Sequence, residues 1–250
     1  TNMELTSAYA SIANGGTYQK PVLYTKVVDH NGNILLSNTQ KGKRVMKEST
    51  AFLLTDAMKD VITKGTGKSA KLSSSMAVAG KSGTTSNSYD YWFSGYTPYH
   101  TASVWMGYDK NTNFASDNTH KKIWAKVMNE IIKTKQEQTT DFKKPADIVK
   151  AKVCKESGKL AIKEVCDHDP RGSRVITEYF EKGTVPTQTC DIHVAVEVCK
   201  TSDKLATKNC PANKKQRKIY IVRKKGSHGK TADTPYMLPK KYQSVFCKKH

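Results

Sequence analysis

An α/β chain of the α+β kind, with an antiparallel sheet flanked by helices and a small β-rich tail, is predicted by three observations. Strand-like runs at residues 77–85, 91–96 and 102–108 follow one another with short turns between them, the pattern of an antiparallel meander. Apolar residues recur at helical spacing on either side of that meander, over 5–13, 48–64 and 121–135. Beyond residue 150 the chain changes to short strand-like runs, and all six cysteines fall there.

Taken in order, residues 5–13 carry Leu5, Ala8, Tyr9 and Ile12 on one helical face, and Asn14-Gly15-Gly16 stops the helix. A strand at 22–28 and its return at 34–36 are joined by the hairpin signal Asn31-Gly32. The helix at 48–64 has Ser49 or Thr50 as its expected cap and Phe52, Leu53, Ala57, Met58, Val61 and Ile62 as its expected apolar stripe. Gly65-Thr66-Gly67 ends it, and 72–76 is a polar connector. The helix at 121–135 should turn Ile123, Trp124, Val127, Met128, Ile131 and Ile132 inward. Residues 136–150 read as a linker, polar and carrying Lys143-Lys144-Pro145.

The strand at 77–85, AVAGKSGTT, carries the chemistry. Gly80 and Gly83 bracket Lys81 and Ser82, and glycine inside a strand marks a close approach by another backbone or a ligand. Alternation points Ser82 and Thr84 one way and Lys81 and Gly83 the other. Two hydroxyls, an ammonium and backbone N–H groups on one edge suit a carboxylate together with a developing oxyanion. Asp90, Trp92 and Phe93 read as structural. The seven histidines, His30, His100, His120, His168, His193, His228 and His250, have no evident catalytic partner.

The tail repeats itself. Val153-Cys154-Lys155-x-Ser157-x-Lys159-Leu160-Ala161-x-Lys163 is echoed by Val198-Cys199-Lys200-x-Ser202-x-Lys204-Leu205-Ala206-x-Lys208, with Gly158 and Asp203 at the same turn position. Cys166 follows the first copy and Cys210 the second. An even number of cysteines confined to one region suggests a disulfide framework of Cys154, Cys166, Cys190, Cys199, Cys210 and Cys247, with Cys154–Cys166 and Cys199–Cys210 as the preferred pairs. No metal is expected: zinc favours closely spaced pairs such as Cys-x-x-Cys, none is present, and Cys190-x-x-His193 has no second pair nearby in sequence.

Composition bounds the rest. With 37% hydrophobic and 26% charged residues the chain is globular and on the polar side, and no run approaches the roughly 18 apolar residues of a membrane span. The net charge of +20 is spread over both halves and attracts a polyanion. The basic run at 214–225, KKQRKIYIVRKK, reads as a strand with basic ends facing solvent or a polyanion. It lacks the glycine–aromatic signature of an RNA-recognition domain, and no nucleic-acid partner is expected.

These motifs carry a resemblance. Lys81-Ser82-Gly83-Thr84-Thr85 resembles the Lys-[Ser/Thr]-Gly motif of penicillin-binding proteins and serine β-lactamases. The longer string AGKSGTT, then DYWFSGYTP from Asp90 and ASVWMGYD from Ala102, is similar to the transpeptidase domain of class A, bifunctional penicillin-binding proteins. Leu5-Thr6-Ser7-Ala8-Tyr9-Ala10 with Ala13-Asn14-Gly15-Gly16 and Pro21 resembles the segment before that strand, and Thr66-Gly67 with Ala70 the Gly-Thr-Gly-x-x-Ala loop. The likeness covers residues 1 to about 135. In the tail, Tyr179-Phe180-x-x-Gly183-Thr184-x-Pro186 resembles a segment of the same proteins.

The resemblance implies an incomplete transpeptidase fold at 1–135, followed by the linker and a Cys-rich basic extension at 151–250. It implies a peptidoglycan DD-transpeptidase that forms an acyl-serine with stem peptides and β-lactams, without a cofactor. It assigns catalytic parts to Lys81 and Thr84, and substrate contacts to Ser82, Gly83, Thr84 and Thr85. The nucleophilic Ser-x-x-Lys and the Ser-x-Asn of this family precede Lys-Ser-Gly, and neither precedes Lys81 here. The chain therefore reads as the C-terminal fragment of a longer protein, whose remainder supplies the nucleophile, a glycosyltransferase half and an anchor at the extracytoplasmic face of the bacterial membrane. An anionic wall polymer or the membrane surface is then the expected polyanion. A serine β-lactamase-related hydrolase is the alternative, but lacks ASVWMGYD and a Cys-rich tail. A non-enzymatic wall-binding module is another, and leaves the motif string unexplained.

Overall fold

The structure is a computed structural model and describes residues 1–222 and 231–249. Positions 223–225 of the basic run, and His228 and His250, lie outside the described residues. The chain divides into two compact units, Thr1–Ile148 and Val149–His250. Among the described residues no helix is long and apolar enough to cross a membrane.

The first unit opens with α1 (Asn2–Ala13), which begins three residues before the apolar periodicity does. Its start is a capping box: the Thr1 hydroxyl accepts the Glu4 N–H, and the Glu4 carboxylate reaches back to residue 1. Two-residue strands β1 (Thr17–Tyr18) and β4 (Lys43–Arg44) pair, and between them lies the expected hairpin, β2 (Lys26–Val28) with β3 (Ile34–Ser37). Asp29 organises the hairpin turn by accepting the N–H groups of Asn31 and Asn33.

In α2 (Glu48–Thr63) the buried residues are Ser49, Ala51, Thr55, Met58 and Ile62. Two expectations are corrected there. Neither Ser49 nor Thr50 caps the helix: the cap position is Lys47, whose side chain makes no capping hydrogen bond, and Ser49 is fully buried in the first turn. The stripe is also rotated, so that Ala57 is exposed while Thr55 is buried. Thr55 is accommodated because its hydroxyl bonds the Ala51 carbonyl at 2.7 Å and the Tyr96 hydroxyl at 2.8 Å. Burial in turn pushes the Tyr96 phenol up to about 12, despite the Thr55 hydrogen bond.

The meander is β5 (Ala79–Thr84), β6 (Asp90–Tyr96) and β7 (Thr101–Gly107), antiparallel in the order β5-β6-β7. Helix α3 (Thr119–Lys135) covers one face. There Phe93 meets Trp124 edge to face at 5.2 Å, within a core that includes Ile62, Ala70, Leu72, Val78 and Met128. The other face buries Ala79 and Tyr96 against Met58, Tyr9 and Ile12 of α1 and α2. The expected sandwich of the meander between the first and last helices is therefore present. In α3, Trp124, Met128 and Ile132 are inward as expected, whereas Ile123 and Val127 are 44% and 46% exposed. His120 and Lys121 take inward positions in their place.

The polar segment after α3 lies along the first unit. Lys59 pairs with Asp141 at 2.8 Å, and Phe142 packs edge-on against Tyr96 at 5.4 Å.

The second unit contains β8 (Ile148–Cys154) paired with β9 (Val175–Glu181), and β10 (His193–Cys199) flanked by β11 (Lys204–Leu205) and β12 (Lys215–Ile221), with a short α4 (Lys241–Ser244). The sequence repeat is a structural repeat. Gly158 and Asp203 are both left-handed, and their N–H groups bond the carbonyls of Cys154 and Cys199, each at 2.8 Å. The correspondence extends further than the sequence echo: the Leu160 carbonyl accepts the Cys190 N–H, and the Leu205 carbonyl accepts the Cys247 N–H, again both at 2.8 Å.

The disulfide expectation is not supported by the structure. All six cysteines are free and buried, and neither Cys154–Cys166 nor Cys199–Cys210 is bonded. Each copy of the repeat gathers three cysteines, not two: Cys154, Cys166 and Cys190 in one, Cys199, Cys210 and Cys247 in the other. An odd number cannot be consumed by pairing within a copy, so equivalent bonding of the two copies does not lead to disulfides.

Candidate active site

Strand β5 is an edge strand among the described residues, and its residues 81–84 are at least partly exposed. The register sets Lys81 opposite Ser94, Ser82 opposite Phe93, Gly83 opposite Trp92 and Thr84 opposite Tyr91. Since the Thr85 N–H donates to the Asp90 carbonyl at 3.2 Å, the alternation of an antiparallel ladder turns the N–H groups of Ser82 and Thr84 to the unpaired edge. Ser82 and Thr84 share the α3 face with Phe93, while Lys81 and Gly83 lie on the opposite face, as alternation requires.

The two glycines serve different ends. A Cβ at Gly80 would lie 2.8 Å from the Ser94 carbonyl oxygen and 2.9 Å from the Gly95 Cα, both backbone, so β5 can approach β6 only as glycine. A Cβ at Gly83 would meet only the Trp92 Cβ, at 3.4 Å, an ordinary contact. Internal packing thus does not demand Gly83, and what it keeps clear is the exposed side of the strand. Gly80→Ala is expected to destabilise by about 1–3 kcal/mol through overpacking. Gly83→Ala should stay within about 0.5 kcal/mol, as for other surface changes. Equal shifts in thermal unfolding for the two variants would refute this division.

Polar groups gather around Ser82. Its hydroxyl lies 3.0 Å from that of Thr66, in the loop after α2. The Lys81 ammonium donates to the Ser82 carbonyl at 2.7 Å. Lys121, in the first turn of α3 and only 7% exposed, donates to the Thr66 carbonyl and to the Asn118 side-chain oxygen, both at 2.8 Å. Burial, and then the repulsion of the Lys81 ammonium, holds Lys121 below the usual lysine range. Two ammonium groups therefore flank the Ser82–Thr66 hydroxyl pair, and an anion is the species that relieves their repulsion.

Thr85 sits apart from this group. Its hydroxyl donates to the Asp90 carboxylate at 3.0 Å and accepts the Asp90 N–H at 2.9 Å. Asp90 also accepts the Trp105 indole N–H at 2.8 Å. Asp90 thus pins the turn between β5 and β6, the structural part expected of it.

Thr66 and Lys121 join the polar group around Ser82 without a sequence signal of their own. Thr66 was legible only as part of a loop resemblance, and Lys121 reads as one of many surface lysines on a basic helix. Two short motif matches lie downstream of Lys81. Ser116-Asp117-Asn118 fits Ser-x-Asn, but the Ser116 hydroxyl accepts the Asn118 N–H and bonds His120 Nδ1, both at 3.2 Å, which ties it into the start of α3. Ser227-His228-Gly229-Lys230 fits Ser-x-x-Lys and lies outside the described residues. Among the described histidines, His100, His168 and His193 have acidic partners, Glu137 at 2.5 Å, Asp167 at 3.1 Å and Asp169 at 2.6 Å, none of them on the Lys-Ser-Gly strand.

Comparison with known proteins gives the family to which this strand belongs. Residues 1–133 match the penicillin-binding protein transpeptidase domain, and residues 144–195 match the C-terminal domain of penicillin-binding protein 1A. Over 241 residues the chain is 36% identical to penicillin-binding protein 1A of Clostridium botulinum strain Hall, covering 94% of this chain and 28% of that protein. It is 33% identical to penicillin-binding protein 2D of Bacillus subtilis strain 168, covering 86% of this chain and 30% of the relative. The chain therefore spans less than a third of the length of these relatives. The crystal structure of penicillin-binding protein 1A from Haemophilus influenzae shares the fold, with a TM-score of 0.59 at 24% identity, over 76% of this chain and 33% of that one. With the transpeptidase match running through β5, β6 and β7 and covering more than half of its residues, this chain belongs to the penicillin-binding protein transpeptidase family.

Proposed function

We propose that this chain forms the Lys-Ser-Gly half of a serine-type D-Ala-D-Ala transpeptidase that cross-links peptidoglycan stem peptides and is acylated by β-lactams. The observation that carries the reading is the exposed β5 edge, on which Lys81, Ser82 and Thr84 offer an ammonium, two hydroxyls and outward N–H groups beside Thr66 and Lys121. Acyl transfer needs a nucleophile, a base, an oxyanion hole and a grip on the substrate carboxylate. Ser82 and Thr84 provide the grip, the Thr84 N–H is one oxyanion donor, and Lys81 assists proton movement. Thr85 acts through the turn rather than on substrate, since Asp90 occupies its hydroxyl. The acylated serine lies outside these 250 residues, in a longer protein at the extracytoplasmic face of the membrane.

The test is fluorescent-penicillin labelling with peptide mapping. The full-length protein should take one label on a serine outside residues 1–250, and the 250 residues alone should take none. Stoichiometric acylation of any serine within the chain, Ser116 and Ser227 included, would refute the assignment of roles on β5.

A further inference from the structure

The second unit draws three separate segments onto one point. Cys154 ends β8, Cys166 lies in the turn that follows the first repeat, and Cys190 and His193 flank the start of β10. The ligand atoms of these four residues all lie within 4.8 Å of one another, and all four are buried. His193 Nδ1 is 3.4 Å from the Cys154 sulfur and 3.3 Å from the Cys190 sulfur. Tetrahedral zinc, with Zn–S of about 2.3 Å and Zn–N of about 2.0–2.1 Å, separates sulfur from nitrogen by roughly 3.5 Å.

The imidazole is oriented from behind. His193 Nε2 lies 2.6 Å from the Asp169 carboxylate, the outer partner that fixes the tautomer of a metal-bound histidine. With that nitrogen donating to Asp169, Nδ1 presents its lone pair to the three sulfurs. Asp169 is clamped in its turn by Arg171, at 2.9 Å to one oxygen and 2.7 Å to the other. Arg171 and the neighbouring Arg174 bring positive charge to Asp169, and both also meet Glu156, Arg171 meeting Asp233 as well. The Cys166 sulfur accepts the Ile162 N–H at 3.3 Å.

The other copy repeats the plan. Cys199, Cys210 and Cys247 are buried with their sulfurs within 4.8 Å of one another. The Cys210 sulfur accepts the Thr207 N–H at 3.3 Å, and the Cys247 sulfur the Lys249 N–H at 3.4 Å. In sequence, Cys247-x-x-His250 has the spacing of Cys190-x-x-His193.

We propose that the C-terminal unit holds two structural zinc ions, one on Cys154, Cys166, Cys190 and His193 and one on Cys199, Cys210 and Cys247. Thiolates, joined at the first site by an imidazole, are the ligand types that select zinc among the divalent cations. The rest of the unit's interior explains the need. Among the described residues, the partly buried apolar side chains packed on the first sulfur cluster are Ala161, Ile162, Val175 and Ile192, and on the second Ala206. Such small cores do not hold three segments together, and metal binding contributes its free energy to folding. Sequence spacing does not announce these ligands, because they are close in space and distant along the chain.

The full-length protein, purified without chelator, should contain two zinc ions per chain by elemental mass spectrometry. Either His193→Ala or Cys199→Ser should reduce that to one. The six tail thiols should resist iodoacetamide until a chelator is added and then all react, as read by peptide mapping. Should the variants fail to fold, cobalt(II) substituted into the wild-type protein reports instead, through thiolate-to-cobalt charge transfer and tetrahedral visible bands. Zinc-free protein with the tail cysteines oxidised in pairs would overturn the proposal, as would cobalt spectra without those bands. One zinc, lost in Cys154→Ser and retained in Cys199→Ser, would overturn the second site.

Discussion

Lys81→Ala in the full-length protein is expected to slow acylation by a fluorescent penicillin by about 10²–10⁴-fold, the usual contribution of a positioned proton-transfer group. The Lys81 ammonium is exposed, and its hydrogen bond to the neighbouring Ser82 carbonyl holds it at the rim of the β5 edge. Because Lys81 contributes no buried surface, the thermal midpoint should barely move, which separates loss of chemistry from loss of fold. Ser82→Ala should do less. A hydroxyl bonded to a carboxylate is worth about 1.5–3 kcal/mol, and the Thr84 hydroxyl, on the same face of the strand, remains to share the substrate carboxylate. Acylation rate constants at saturating and sub-saturating penicillin would distinguish the two. A Lys81→Ala protein that acylates within threefold of wild type would remove Lys81 from the mechanism.

Trp124→Ala should cost about 3–5 kcal/mol in the first unit, the range for truncating a buried large aromatic residue. Trp124 is fully buried, lies edge to face with Phe93 at 5.2 Å and donates its indole N–H to the Ala102 carbonyl at 2.9 Å. Its ring also rests against Gly95, where an added Cβ would come within 2.9 Å of it. A single side chain thus ties α3 to both β6 and β7, and its removal leaves a cavity and an orphaned carbonyl. For a unit of this size the loss corresponds to a fall in the thermal midpoint of about 6–20 °C. Val127→Ala, on the same helix but 46% exposed, is the control and should stay within about 0.5 kcal/mol. Comparable midpoints for the two variants would show that α3 is not held through Trp124.

The meander, its antiparallel order and the helix on each of its faces were legible because each depends on short-range pattern. Alternation assigned Ser82 and Thr84 to one side, and glycine at position 80 announced the close approach that the Ser94 carbonyl confirms. Helix faces were read less well. Periodicity in α2 and α3 admits several rotations, and the one adopted is chosen by what the facing elements supply. Thr55 is buried because Tyr96 offers it a hydroxyl, and Lys121 because the Thr66 carbonyl and Asn118 receive its ammonium. Ala57, Ile123 and Val127 are left outside for want of a surface opposite them.

The same distinction governs the two places where chemistry gathers. The sequence by itself determined the family strand, Lys81 to Thr85, since motif and alternation act between adjacent residues. Tertiary structure alone decided that Thr66 and Lys121 join that strand, and that Cys154, Cys166, Cys190 and His193 meet. In each case the residues come from elements remote along the chain, and their convergence follows from backbone pairing and packing that no local spacing encodes. The tail shows this most directly. Two cysteines per copy stand out in the repeat, and the third enters only because the Leu160 and Leu205 carbonyls each capture the N–H of a distant cysteine.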